Sequence, residues 1–229
     1  SADEILNCIE MHEVTTMALV PSLLRACISL QDLMENDLSS LQMIQIGGAM
    51  CPPQLAELAV EKLGCKVQQI YGMSEGFVSA TRPEDPYEIM IGTQGIPVSP
   101  GDIMKIVDEE EQEVPAGEAG EILARGPSVV WEYYENPVMS SVAFTEDGFY
   151  RTGDKGRIDP DTGRLQILGR IREQINRLGE KIMPSELEEY LLDHPQIQQV
   201  CVVPADDEKL GQRICICLPE ALSGIGLTQ

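Results

Sequence analysis

Residues 66–76, Lys-Val-Gln-Gln-Ile-Tyr-Gly-Met-Ser-Glu-Gly, join a branched apolar run to a hydroxyl and a carboxylate held between two glycines. Ser74 can donate to an anionic oxygen, and Glu75 can hold a hard cation such as Mg2+. Together they suit a metal-bound phosphate. The same residues also fit a plain strand and turn with a solvated Ser-Glu pair. A second candidate is Tyr150-Arg151-Thr152-Gly153-Asp154. An aspartate just after Thr-Gly, at the end of a strand, accepts hydrogen bonds from vicinal hydroxyls such as those of a ribose, and it equally fits a turn aspartate. A third is Gly47-Gly48-Ala49, whose small residues would let a planar ring lie against the backbone or would serve close strand–helix packing.

The elements that must position these residues can be read in order. Residues 1–12 read as a helix, 14–20 as a short strand, and 22–30 as a helix with Leu23, Leu24 and Ile28 in step. Residues 41–46 form a buried strand that ends at Gly47-Gly48. Pro52-Pro53 opens a helix over 54–63, where Pro is tolerated in the first turn, and Gly64 stops it. The strand at 66–71 follows. Strand, helix and strand with a glycine turn after each strand is a βαβ unit, for which a parallel sheet is the default. Both glycine turns would then lie on one rim, where α/β proteins bind ligands. After Pro86 the helical spacing stops. Short β-type runs at 95–98, 103–107 and 120–124 suggest a small antiparallel sheet or barrel, with the acid run 108–111 at a solvated hairpin tip. A short helical stretch runs from Pro137 to Phe144. Arg157-Ile158 and 165–168 flank the turn Asp-Pro-Asp-Thr-Gly. Residues 169–182 are dense in charge and bracketed by glycines, as an interdomain hinge would be. Residues 184–192 read as a helix with a Ser185…Glu188 capping box, ended by His194-Pro195. Strands at 200–203 and 213–218 complete a small α+β pattern. The expected fold is therefore α/β: a partial parallel βαβ sheet (residues 1–88), a small β-barrel-like subdomain (89–170) and a truncated α+β C-terminal domain (171–229).

The 229-residue chain carries a formal net charge of −22. That charge argues against nucleic acid and anionic membrane surfaces as partners, since both would repel it. It does not exclude nucleotides, whose phosphates can be held by backbone N–H groups and a metal. The seven cysteines are odd in number, irregular in spacing and without a C-x-x-C. They read as small buried apolar residues rather than a zinc site or disulfide frame. Two distant histidines make a histidine-rich metal site unexpected. With no signal peptide and no apolar run long enough to span a bilayer, a cytoplasmic setting is expected.

Taken in succession, Gly47-Gly48-Ala49, Tyr71-Gly72-Met73-Ser74-Glu75-Gly76, Tyr150-Arg151-Thr152-Gly153-Asp154 and Gly169-Arg170…Gln174-Ile175-Asn176-Arg177…Gly179-Glu180-Lys181-Ile182 resemble the adenylate-forming superfamily. That superfamily comprises acyl- and aryl-CoA synthetases, adenylation domains of nonribosomal peptide synthetases, and luciferases. Residues 68–76, Thr81-Arg82 and 174–177 most resemble its aryl-acid-activating branch, the 2,3-dihydroxybenzoate–AMP ligases of siderophore synthesis.

The resemblance implies roles for individual residues. Gly48 and Ala49 would lie against adenine, the backbone near Ile70 would read its amino group, and Tyr71, followed by Gly72, would stack on the ring. Ser74 would contact the α-phosphate and Glu75 would bind Mg2+. Asp154 would hold the ribose hydroxyls with Arg170 assisting. Ala49 and Val78 would line the acyl pocket. Arg172 occupies the hinge position, and Gly179 would line the approach of a phosphopantetheine or CoA thiol, the former carried by an aryl carrier protein. The expected reaction consumes ATP and a small carboxylic acid and needs no nucleophilic side chain. Three departures accompany the resemblance. The family's glycine-rich phosphate loop would lie before Ser1 and its catalytic lysine after Lys209, so the chain is expected to be a partial enzyme, inactive alone. Leu178 stands where the aryl branch usually has glycine. Acyl-CoA ligation of another acid, or a non-catalytic nucleotide-binding or interaction module, are the other readings.

Overall fold

A computed structural model describes residues 1–194, 196–197, 199–207 and 209–219. They fall into two compact units. The first comprises residues 1–152 and 156–167, the second residues 153–155 and those from 168 onward.

The first unit begins with two βαβ turns. Strand β1 (Thr16–Leu19), helix α2 (Pro21–Met34), strand β2 (Met43–Gly47), helix α3 (Pro53–Leu63) and strand β3 (Lys66–Gly72) follow helix α1 (Ala2–His12). The three strands pair in parallel, as the sequence pattern predicts. Pro21 and Pro53 open their helices, where a missing N–H costs nothing, and Gly64 closes α3 in the left-handed region at φ 67°. Leu6, Leu24, Cys27, Ile44, Ile46, Leu55, Ala59 and Val67 are buried together as the core of helices and sheet. Two short strands then turn back, β4 (Val78–Ala80) and β5 (Ile96–Pro97), both antiparallel to their neighbours. Between them lies helix α4 (Tyr87–Gly92). The expected end of helical structure at Pro86 is thus corrected: Met90 and Ile91 are buried and hold a six-residue helix too short for its period to show.

A second sheet follows, in the order β6 (Ile103–Val107), β7 (Gly120–Arg125), β8 (Tyr150–Ile158), β9 (Leu165–Arg170), with helix α5 (Pro137–Ala143) inserted before β8. The order is linear with β6 and β9 at the edges, so this is an open sheet rather than the barrel-like form expected. The acid run lies at the tip of the β6–β7 connection, where the Asp108 carboxylate accepts from the Glu110 and Gln112 amides at 3.0 and 2.8 Å.

Buried glutamines tie the first unit together. Gln69 is 2% exposed. Its side chain donates to the carbonyls of Met90 and Ile91 and accepts from Gln94 Nε2 at 2.9 Å. The Gln94 side chain accepts from the Ile167 amide at 2.8 Å, and its own amide donates to Leu165. Gln68 donates to the Thr81 carbonyl and accepts from Gln45. Each buried amide thereby finds the partner that burial demands, and the rim strand β3 is bonded through to β9.

The second unit has the sheet order β11 (Glu180–Ile182), β10 (Ile175–Arg177), β13 (Gly211–Cys217), β12 (Cys201–Asp207), with antiparallel pairs and helix α6 (Pro184–Leu192). Ile175, Met183, Ile197 and Val202 are its buried apolar residues. The expected capping box is not formed. The Ser185 hydroxyl donates instead to the Leu168 carbonyl, and Glu188 accepts from the Val202 amide at 2.7 Å. Tertiary partners outcompete the local cap. Pro195 and the last ten residues lie outside the described ones. Cys27, Cys51 and Cys65 are buried as expected, and burial pushes the Cys51 thiol up to about 12 and Cys65 to about 11. Cys8, Cys201 and Cys217 are exposed, against expectation.

Candidate functional site

The register Gly47↔Ile70 sets the ends of β2 and β3 side by side, so the turns that follow open on one rim. A Cβ at Gly47 would meet the Ile70 carbonyl oxygen at 2.9 Å. The small residue is therefore required by backbone approach. Gly48 has φ 80° and borders Val20, which follows β1. Gly48 and Ala49 are exposed, which leaves a smooth ledge of backbone open to solvent. Gly72 pairs with Val78 in the β3–β4 ladder. Gly48, Ala49, Ile70, Tyr71, Gly72, Ser74, Glu75 and Val78 thus all belong to the first unit, within or directly after the paired strands β2, β3 and β4.

The turn that carries Ser74 and Glu75 is closed by two backbone hydrogen bonds, Met73 N to Phe77 O at 3.2 Å and Gly76 N to Met73 O at 3.0 Å. Ser74 is exposed and Glu75 half-buried. Phe77 anchors the turn: it is fully buried beside Ala124, Val129, Tyr71 and Met73, with the Tyr71 ring edge-on at 6.3 Å. A second segment, residues 126–133, straps the turn from outside. A Cβ at Gly76, where φ is 109°, would fall 1.7 Å from the Ser128 carbonyl oxygen. The Val130 amide donates to the Glu75 carbonyl at 2.9 Å. Buried Asp102 holds the strap through the Ser128 amide and hydroxyl.

The strap also reaches the Glu75 side chain. Tyr133 Oη donates to Glu75 Oε1 at 2.8 Å and lies 3.3 Å from Tyr150 Oη. Phe144 packs against both phenol rings at 6.2 and 5.4 Å. Burial, followed by the hydrogen bond with Tyr133 and the charge of Glu75, pushes the Tyr150 hydroxyl far up. For Tyr133, the hydrogen bond with Tyr150 pulls downward, but burial and Glu75 together outweigh it and the net direction is up. Both phenols stay neutral donors across the physiological range. Tyr150 enters the sequence reading only as the start of the Thr-Gly-Asp motif, with no role of its own, and Tyr133 is not singled out there. Both lie in aromatic runs visible in the sequence, but no spacing rule links position 133 to position 75.

Among the described residues no three His, Cys, Asp or Glu side chains gather into a group that could hold a metal. A lone ordered carboxylate still fits Mg2+, which is commonly held by one or two carboxylates plus substrate phosphates. Glu75 is the residue that would hold it, with the remaining ligands coming from a nucleotide and water.

The other predicted residues lie in the second unit. Asp154 is buried, and its Oδ1 meets Arg170 Nε at 2.9 Å. It sits inside the nine-residue strand β8 rather than at the strand end expected. Gly153, at φ 67°, marks a local break just before it. Thr152, in the first unit, donates to the Ile122 carbonyl at 2.8 Å. Arg172 is exposed within a single 3-10 turn, Ile171–Glu173. Leu178 and Gly179, with φ 54° and 89°, form the two-residue loop between Arg177 and Glu180. A loop of this kind needs positive φ at both positions, and glycine is the relaxed choice at each. Leu178 supplies a strained substitute, which explains why its departure from the resembled pattern is tolerated but not free.

Residues 1–134 match the AMP-binding enzyme family, and the chain belongs to that adenylate-forming family. It is 42% identical over 216 residues to the 2,3-dihydroxybenzoate-AMP ligase of Bacillus subtilis, a match that covers 94% of this chain and 40% of that protein. It is 40% identical over 222 residues to enterobactin synthase component E of Escherichia coli, covering 95% of this chain and 41% of the relative. Among solved structures, Mycobacterium smegmatis MbtA in its apo form superposes with a TM-score of 0.70 at 39% identity, covering 94% of this chain and 40% of MbtA. The chain spans about 40% of the length of the curated relatives it matches. No helix among the described residues is long and apolar enough to cross a membrane.

Proposed function

We propose that the full-length protein containing this sequence activates an aryl carboxylic acid of the 2,3-dihydroxybenzoate kind with ATP. The observation that carries the reading is the rim itself. Two parallel strand ends in register present a Gly-Gly-Ala ledge beside a turn whose carboxylate is tied in place. The names of the relatives, 2,3-dihydroxybenzoate-AMP ligase among them, support the choice of acid.

In this reading the Gly48–Ala49 ledge and the Tyr71 ring sandwich adenine, and the main chain at Ile70 and Gly72 borders it. Ser74 donates to the α-phosphate. Asp154, oriented by Arg170, accepts from the ribose hydroxyls. Ala49 and Val78 border the acid. The acid's carboxylate oxygen attacks the α-phosphorus, the bond to the β-phosphate oxygen breaks, and pyrophosphate leaves. Mg2+, when bound at Glu75, offsets the negative charge that builds on the phosphates. A thiol then adds to the acyl carbon of the adenylate, loses its proton, and AMP departs. The thiol belongs to phosphopantetheine on an aryl carrier protein or to CoA. Arg172 is the hinge about which the small domain turns between the two steps, and Gly179 lines the thiol's approach. The setting is the cytoplasm, within siderophore or nonribosomal peptide synthesis.

The test is carboxylate-dependent ATP–pyrophosphate exchange by the full-length protein, comparing 2,3-dihydroxybenzoate, salicylate, benzoate and amino acids. Exchange with an aryl acid that disappears in Glu75→Ala and Asp154→Ala is the expected result. Exchange with a different acid keeps the adenylation and discards the aryl assignment. No exchange from folded protein favours a non-catalytic nucleotide-binding module.

A further inference from the structure

We infer that Tyr133, backed by Tyr150, is the positioning residue that presents the Glu75 carboxylate to the divalent cation. The inference rests on the proposed role of Glu75 and names the groups that make that role possible. Glu75 stands at the tip of a four-residue turn next to an exposed serine. An unassisted glutamate there would sample many rotamers, and ordering it on metal binding would oppose that binding. The structure removes that freedom beforehand. The Glu75 main chain is bonded to Val130 and its side chain to Tyr133, so one strap grips both ends of the residue.

The chemical type of the gripping group matters. A lysine or arginine at position 133 would also order the carboxylate, but its charge would cancel what attracts the cation. A phenol orients through a hydrogen bond and leaves the carboxylate's full negative charge for the metal. Tyr150 stands against the Tyr133 hydroxyl at 3.3 Å, and Phe144 packs on both rings, so the donor itself is fixed. Tyr134, the next residue, is 89% exposed and supplies an internal control.

The experiment uses Mn2+ as the probe. Its affinity for the full-length protein in the presence of ATP is measured by electron paramagnetic resonance, with thermal unfolding of each variant alongside. Tyr133→Phe deletes one oxygen and keeps the ring packing. It is expected to weaken Mn2+ binding by ~10-fold or more and to leave the unfolding temperature and metal-free nucleotide binding near wild type. Tyr134→Phe is expected to change neither. Glu75→Gln is expected to weaken Mn2+ further, and adding Tyr133→Phe to it should cost nothing more. Wild-type Mn2+ affinity in Tyr133→Phe, with affinity lost in Glu75→Gln, would overturn the positioning role and leave the metal assignment intact. Wild-type affinity in Glu75→Gln would overturn the metal assignment and the positioning role with it.

Discussion

The Ser74–Glu75 turn and the Leu178–Gly179 turn are both tight reversals next to short strands, and they are held by different physics. The first is enclosed. Phe77 is buried beneath it, the Ser128 carbonyl blocks any side chain at Gly76, and the strap bonds both the main chain and the carboxylate of Glu75. The second stands in the open. No atom lies within 4 Å of where a Cβ would be at Gly179, and Leu178 is 68% exposed. What fixes it is local: the Gly179 amide on Asn176 Oδ1 at 3.1 Å, and the Leu178 amide on the Leu210 carbonyl at 3.0 Å. Packing around a turn makes its geometry stiff. Torsional preference and a few hydrogen bonds leave it able to yield to a ligand. That contrast suits the roles proposed for the two turns, a held carboxylate for a cation at Glu75 and a yielding passage for a thiol at Gly179.

Four measurements would break or sharpen the contrast. The largest effect is expected for Gly76→Ala, which sets a methyl against a carbonyl oxygen at a φ that alanine avoids. It should cost roughly 3 kcal/mol or more in urea unfolding. A loss below about 1 kcal/mol would mean that the strap gives way easily. Next is Gln94→Ala, which removes the partner of Gln69 Oε1 and of the Ile167 amide. About 2 kcal/mol should be lost, the usual penalty for stranding buried polar groups. Smaller and opposite in sign is Leu178→Gly. Relief of left-handed strain should outweigh the lost side chain and stabilise by about 1 kcal/mol. Clear destabilisation instead would show that the Leu178 side chain is used.

The smallest effect is read from acid titration of the first unit. Burial raises the Asp85 carboxyl, but the hydrogen bonds from Arg164 and from the Arg82 amide outweigh it, and the net direction is down. A carboxyl depressed in the folded state stabilises above its unfolded pKa, and that contribution fades as pH falls through the folded value. Asp85→Asn should therefore flatten the acid limb of the stability profile.

The parallel βαβ part was legible because its signals are local and redundant. Apolar strands end in glycine, helices open with proline, and Gly64 stops α3. The rim could be inferred from two such strands because parallel pairing puts their ends together. What escaped was decided by partners distant in sequence. Ser185 and Glu188 have the spacing of a capping box, yet bond to Leu168 and Val202. Tyr133 reaches Glu75 across 58 residues. No local pattern links Gln69 to Gln94, although the first is almost fully buried and the two join β3 to β9. Thr-Gly-Asp reads as a strand end, but Gly153 only breaks the middle of a longer strand, so Asp154 lies inside β8.

The small unit has two addresses in the sequence, residues 153–155 and those from 168 onward. For recombination between related chains this sets a rule about where crossovers can fall. A seam anywhere from 156 to 167 takes Asp154 from one parent and Arg170 from the other. Chimeras joined there inherit the ion pair only when both parents encode its halves. A seam before 153 or after 170 transmits it whole.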